Sequence, residues 1–252
     1  ENVTADQLLI EAGGQVTINS NVTVTLVNGT GTDMSVSGTV LTNSTGSNGG
    51  FNINAGANLL FNAGGTLKYN VNGDNVPTAT WSAGSTCIVS GVTNAEPNSL
   101  TQTFSHLIWD NTNQTADLDI SITTVRGNFQ ILNTGTGSVR LTRNGDVTTT
   151  VGGDFLLSGG ILNLSRGNGN LTMNVAGNFS ITGGTLTETG NAKGNIINFN
   201  GSATQIYSKT AGTISNTINF AILQGATVNL GTSVLDGSNG TFILNSGGGI
   251  IT

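Results

Sequence analysis

Few residues in this chain carry chemistry, and the most suggestive are Asp117 and Asp119. They stand two apart, so on an extended strand both carboxylates project from one face. Polysaccharide lyases and glycosidases place carboxylates in this way, for calcium binding or acid–base work. Such sites also need further carboxylates or a basic partner on neighbouring segments. His106 is the only histidine and could act as a general base. With no carboxylate or serine phrase beside it, it reads as an outward or corner residue. Arg126, Arg140, Arg143 and Arg166 form the densest basic set, suited to gripping an acidic glycan or to lining a solvated face. Trp81, Trp109 and Tyr207 could stack on sugars or fill a core. Asp117, Asp119, His106 and Trp109 are the surface candidates. No residue is assigned a catalytic, metal-binding or cofactor-binding role, and no cofactor is expected.

Composition narrows the possibilities further. Of 252 residues only 8% are charged and 38 are glycine, with a net charge of -6. Seven scattered basic residues form no cluster for phosphates, which argues against a nucleic-acid partner. No apolar run approaches the roughly 20 residues of a membrane helix, so no membrane insertion is expected. Cys87 stands alone, which excludes an intrachain disulfide. Gly152-Gly153 and Gly167-Asn168-Gly169-Asn170 precede strands and match no dinucleotide or phosphate loop, so they read as corners. Thr148 and Thr172 align at a spacing of 24, but Thr150 faces Asn174, so no flat threonine array for ice develops.

The elements that would position these residues are short strands. Val-x-Gly-Asx-Phe occurs as Val125-Arg126-Gly127-Asn128-Phe129, Val151-Gly152-Gly153-Asp154-Phe155 and Val175-Ala176-Gly177-Asn178-Phe179. A decayed copy follows at Phe199-Asn200-Gly201-Ser202-Ala203. Ser158-Gly159-Gly160-Ile161-Leu162 returns as Thr182-Gly183-Gly184-Thr185-Leu186 on the same beat. A period in the twenties with strand-like content indicates one coil per repeat. The expected fold is all-β, a right-handed parallel β-helix (β-solenoid) of 21–26 residues per coil and about eleven coils. It forms a single continuous domain over 1–252, most regular at 125–203 and irregular at 76–124. Stacking like on like gives an internal ladder of Phe129, Phe155 and Phe179 behind Val125, Val151 and Val175. An external ladder of Asn128, Asp154 and Asn178 runs beside it. Gly127, Gly153 and Gly177 mark a bend, either a close approach or a positive φ. Ile53-Asn54-Ala55-Gly56 and Phe61-Asn62-Ala63-Gly64, eight apart, fit successive strands of one coil joined by Ala-Gly corners.

Ile197-Asn198-Phe199-Asn200-Gly201, Ile218-Asn219-Phe220 with Gly225-Ala226-Thr227-Val228, and the Val-x-Gly-Asn-Phe coils resemble a known type. It is the Gly/Asn/Thr-rich β-solenoid region of large surface or secreted proteins from Bacteroidetes, which commonly precedes a C-terminal sorting domain for type IX secretion. The resemblance implies a scaffold with an extracellular or cell-surface location, and it supplies no catalytic residues. Glu1 at the start and a mid-pattern stop at Thr252 read as part of a longer chain. The expected function is a non-enzymatic stalk, filament or adhesive module. Its partners would be adjoining coils or identical subunits end to end, with surface glycans as a further possibility. The alternative is a carbohydrate-binding or polysaccharide-degrading β-helix.

Overall fold

Corners at glycine and asparagine cut the apolar alternation into strands of two to six residues. Phe51–Ile53, Leu59–Phe61 and Thr66–Tyr69 show the unit, as successive strands of one coil. They turn at Gly56 and Gly64, whose φ values of 86° and 79° lie in the left-handed region that glycine adopts without strain. In the computed structural model, which describes residues 1–236 and 238–252, these strands wind into a β-solenoid of about ten turns. Strands one turn apart pair in parallel, and a single four-residue helical turn at Ser47–Gly50 interrupts the β structure among the described residues.

One sheet of 11 strands runs the whole length, from Gln15–Ile18 to Gly249–Ile251. The other two faces are each built in two sections. Sheets of three and four strands cover the N-terminal coils and end at Phe51–Ile53 and Thr80–Trp81. Sheets of five and six strands begin at Asp117–Asp119 and Thr124–Val125. The irregular stretch expected at 76–124 is thus where two faces lapse and restart. The long sheet bridges it through Thr86–Val89 and His106–Asp110. Coil length is more variable than expected. Thr66, Thr86 and His106 stack at steps of 20 residues, whereas Phe179 and Tyr207 are 28 apart.

Two inward columns face each other across the interior. Leu67, Cys87, Leu107, Phe129, Phe155, Phe179 and Tyr207 line the long sheet. Phe61, Trp81, Phe104, Val125, Val151, Val175 and Phe199 line the opposite wall. The expected phenylalanine ladder is present, with ring centroids 5.7 Å apart between Phe129 and Phe155 and 4.8 Å between Phe155 and Phe179. Burying each such ring contributes about 2–3 kcal/mol, and it is a neighbouring coil that does the burying.

The decayed fourth repeat ends differently from its sequence. Phe199 does stack on Val175, but Tyr207, not Ala203, takes the next phenylalanine slot. The four extra residues are absorbed by buried Gln205. Its Oε1 accepts the Gly201 N–H at 2.7 Å, and its Nε2 donates to the carbonyls of Val175 and Gly177.

Gly127, Gly153 and Gly177 have no positive φ; close approach alone requires them. A Cβ on Gly127 would lie 2.6 Å from the His106 ring, and one on Gly153 would strike Asn128 Oδ1 and the Gly127 carbonyl carbon. The corner glycines Gly160 and Gly184 do sit at positive φ, 72° and 68°.

Candidate functional site

The paired carboxylates are where the alternation puts them, on the outer face of Asp117–Asp119 beside inward Leu118. Their strand opens a new sheet and pairs with Ser138–Thr142, which sets Asp119 opposite Arg140. Arg140 lies outward between inward Val139 and Leu141, yet its side chain is only 5% exposed. Its Nε donates to Asp119 Oδ1 at 2.6 Å, and its Nη2 donates to the Asp117 carbonyl at 2.6 Å. Nη1 stands 3.5 Å from Asp117 Oδ2, and Arg143 approaches Asp119 Oδ2 at 3.8 Å. Asp117 Oδ1 also accepts the Ser138 hydroxyl at 2.7 Å. One coil back, Glu96 accepts the Asp119 N–H at 3.1 Å.

This arrangement commits each carboxylate. Asp119 grips a guanidinium, Asp117 takes a hydroxyl and a long ion-pair contact, and Glu96 is tied to a backbone N–H. A shallow recess of about 200 Å³ lies beside them, lined by 96–101 with Asp119 and Ser121. No group of three or more His, Cys, Asp or Glu among the described residues is arranged to hold a metal ion. Chemically the cluster is a clamp that stitches coils together where two of the three faces restart.

His106 belongs to a different structure, the corner ladder. Its Nδ1 accepts the Asn128 N–H at 2.9 Å. Asn128 Oδ1 accepts the Asp154 N–H at 2.9 Å, Asp154 Oδ1 the Asn178 N–H at 2.7 Å, and Asn178 Oδ1 the Ile206 N–H at 2.8 Å. The lone histidine is the first rung of the expected Asx ladder, and its proton must sit on Nε2 so that Nδ1 can accept. Its half-exposed outward position agrees with the sequence expectation.

Trp109 must be corrected. As a surface candidate it fails, because it is fully buried in the column of Val89 and Ile131, with Nε1 donating to Gln114 at 2.9 Å. Trp81 is likewise buried, stacked on Phe61 at 4.4 Å and bonded through Nε1 to Gln102. The physical reason is common to both: each indole N–H finds a glutamine inside, so burial leaves no unpaired donor. Twelve of the thirteen aromatic side chains are fully buried; the other, Phe242, lies on the last coil. Of the arginines, Arg126 reaches back two coils to the Trp81 carbonyl, while Arg143 and Arg166 face solvent.

One polar cluster was missed at the sequence level. Glu188 follows Thr187 in strand order, where the preceding coils place Leu164 and Leu141, and it is wholly buried. It accepts from Lys193 Nζ at 2.7 Å, from Asn195 Nδ2 at 3.4 Å and from the Thr217 N–H at 3.3 Å. Asn195 in turn accepts the Leu171 N–H at 2.8 Å. The only sequence signal is a glutamate where the column calls for leucine, which is visible once the coil register is known. Lys193 is 56% exposed, so the pair closes a long corner from outside.

The fold and the clamp together define a parallel β-solenoid whose polar side chains bond from coil to coil. No protein-family model, curated protein or solved structure matches this chain.

Proposed function

We propose that the chain is a non-enzymatic stalk or filament module of a large cell-surface or secreted protein, of the Bacteroidetes type that its sequence resembles. One observation carries the reading. The 11-stranded sheet runs unbroken from the first coils to the last, so strand spacing fixes a rigid rod of roughly 50 Å. The side chains that could do chemistry serve this rod, since Asp119 and Arg140 clamp coils and His106 caps a corner. The burial of nearly all the aromatics weighs against a sugar-stacking surface. The end coils support a partner of the same kind, either adjoining coils of one longer chain or identical subunits. At the C-terminal coil, inward-type Phe242, Leu244 and Ile250 are 42%, 50% and 38% exposed, and edges of this sort accept further strands.

Two assays test this. Antibody raised to the chain should label intact cells of the source organism, and labelling only after lysis would sink the surface assignment. Across a panel of neutral and acidic polysaccharides neither cleavage nor binding is expected. Cleavage that disappears in Asp119→Asn would establish the polysaccharide-degrading alternative instead.

A further inference from the structure

The sequence holds seven Asn-Gly pairs, the dipeptide most open to spontaneous loss of the side-chain amide. In that reaction the backbone nitrogen of the glycine attacks Cγ of the asparagine. The Cγ–Nδ2 bond breaks, ammonia leaves with the proton, and water opens the resulting imide to aspartate or isoaspartate. The attack requires a glycine N–H that is not held in a hydrogen bond and an asparagine side chain free to turn.

The structure sorts the pairs on this criterion. Gly29 N–H donates to Asp33 Oδ1 at 2.7 Å and Gly49 N–H to Asp74 Oδ2 at 2.7 Å. Gly73 N–H is tied to the Ala95 carbonyl at 3.0 Å, Gly169 N–H to the Arg143 carbonyl at 3.1 Å, and Gly201 N–H to Gln205 Oε1 at 2.7 Å. Asn72 and Asn168 are also held through their own side chains, Asn72 by three backbone N–H groups and Asn168 by Asn191. Two pairs differ. Asn239-Gly240 also has a glycine N–H without an acceptor among the described residues, but its glycine is only half-exposed. Asn144-Gly145 meets the criterion in full. Gly145 N–H has no acceptor among the described residues, the Asn144 amide makes no hydrogen bond, and both residues are exposed. One turn on, Asn168-Gly169 occupies the corresponding corner with its glycine N–H protected, so the contrast lies in the bonding and not in the position.

We infer that Asn144 is a self-modification site of this chain, converting to aspartate or isoaspartate in the folded protein ahead of the five protected pairs. The product places a carboxylate next to Arg143, the residue that approaches Asp119. A hydrogen bond that must open before attack slows it by about tenfold, the factor set by the net worth of one bond.

The test incubates the folded chain in mildly alkaline buffer and maps peptides by mass spectrometry, with isoaspartate detection. The Asn144 peptide is expected to convert about tenfold faster than those of Asn28, Asn48, Asn72, Asn168 and Asn200. Gly145→Ala is the control, because Gly145 has ordinary φ and a Cβ there meets nothing within 4 Å. It should leave the fold unchanged and halt conversion, since the methyl group obstructs the attack. In urea all seven pairs, Asn239-Gly240 included, should converge in rate. Equal rates in the folded chain, or the same ranking in urea, would overturn the inference.

Discussion

Replacing Arg140 by methionine removes the guanidinium of the clamp and keeps most of the buried stem. Two charge-assisted bonds of 2.6 Å disappear, one to Asp119 Oδ1 and one to the Asp117 carbonyl. The consequences for the partners differ. Asp117 is 60% exposed and rehydrates, whereas Asp119 at 28% keeps only Arg143 at 3.8 Å. A bond to a charged group contributes about 1.5–3 kcal/mol, and the part-buried Asp117 carbonyl left unpaired adds to the loss. Water regained by the carboxylates offsets part of this, so the net loss is expected at about 2–4 kcal/mol. Urea unfolding followed by circular dichroism measures it. A cycle with Asp119→Ala should return a coupling of about 1–2 kcal/mol, and a cycle with Asp117→Ala less than about 1. Equal couplings, or an Arg140→Met cost below about 0.5 kcal/mol, would refute the idea that the cluster is a clamp organised on Asp119.

Other expectations follow from the same contacts. Phe155→Ala, in the middle of the ring ladder, should cost about 3–5 kcal/mol in the same unfolding assay. Gly153→Ala should lower the melting temperature because its Cβ strikes the coil below, while Gly145→Ala should not. His106→Asn should be tolerated as another corner acceptor, with His106→Ala costing about 1 kcal/mol. Burial pushes the Tyr207 hydroxyl up to about 12 from 10.0, so the unfolded chain ionises first and stability falls as pH rises from 10 towards 12. Tyr207→Phe should remove this hydroxyl's share of that fall, leaving the share of the buried Tyr69 hydroxyl and Cys87 thiol, which burial also raises. It should cost nothing at neutral pH, since the Tyr207 hydroxyl has no partner among the described residues; a loss above about 1 kcal/mol would reveal one. Backbone N–H groups of Gly29 and Asn58 hold Asp33 below its ordinary 3.8, so its contribution is intact above that pH and is lost as pH falls below it. Asp33→Asn should remove this part of the acid sensitivity, read as melting temperature against pH.

The regular coils were legible because Val, Gly, Asx and Phe recur at nearly constant spacing from Val125 to Phe179, so sequence alignment and physical stacking coincide. Legibility failed where coil length changes. Asp119 and Arg140 are 21 residues apart, and Phe179 and Tyr207 are 28, so no single period brings both pairs into register. His106 escaped the Asx ladder because its role depends on one acceptor atom at one corner, which several residue types can supply. Trp81 fills the core, one of the two roles its type allows, whereas Trp109 was misplaced on the surface because its partner Gln114, which satisfies the buried indole N–H, is not apparent without the coil path. Glu188 shows the converse, an acidic residue drawn inside because Lys193, Asn195 and the Thr217 N–H surround it.

A stacked solenoid has a length set by its number of coils. Spin labels at Thr17→Cys and Ser208→Cys test it directly, since both sites lie in one outward column of the long sheet, eight rungs apart. Cys87 is buried, and burial pushes its thiol up, so it should stay unlabelled. Eight strand spacings give a narrow distance distribution at about 40 Å, shortened by about 5 Å when one coil, residues 151–174, is deleted. A broad distribution, or a deletion that unfolds the chain or leaves the distance unchanged, would contradict it.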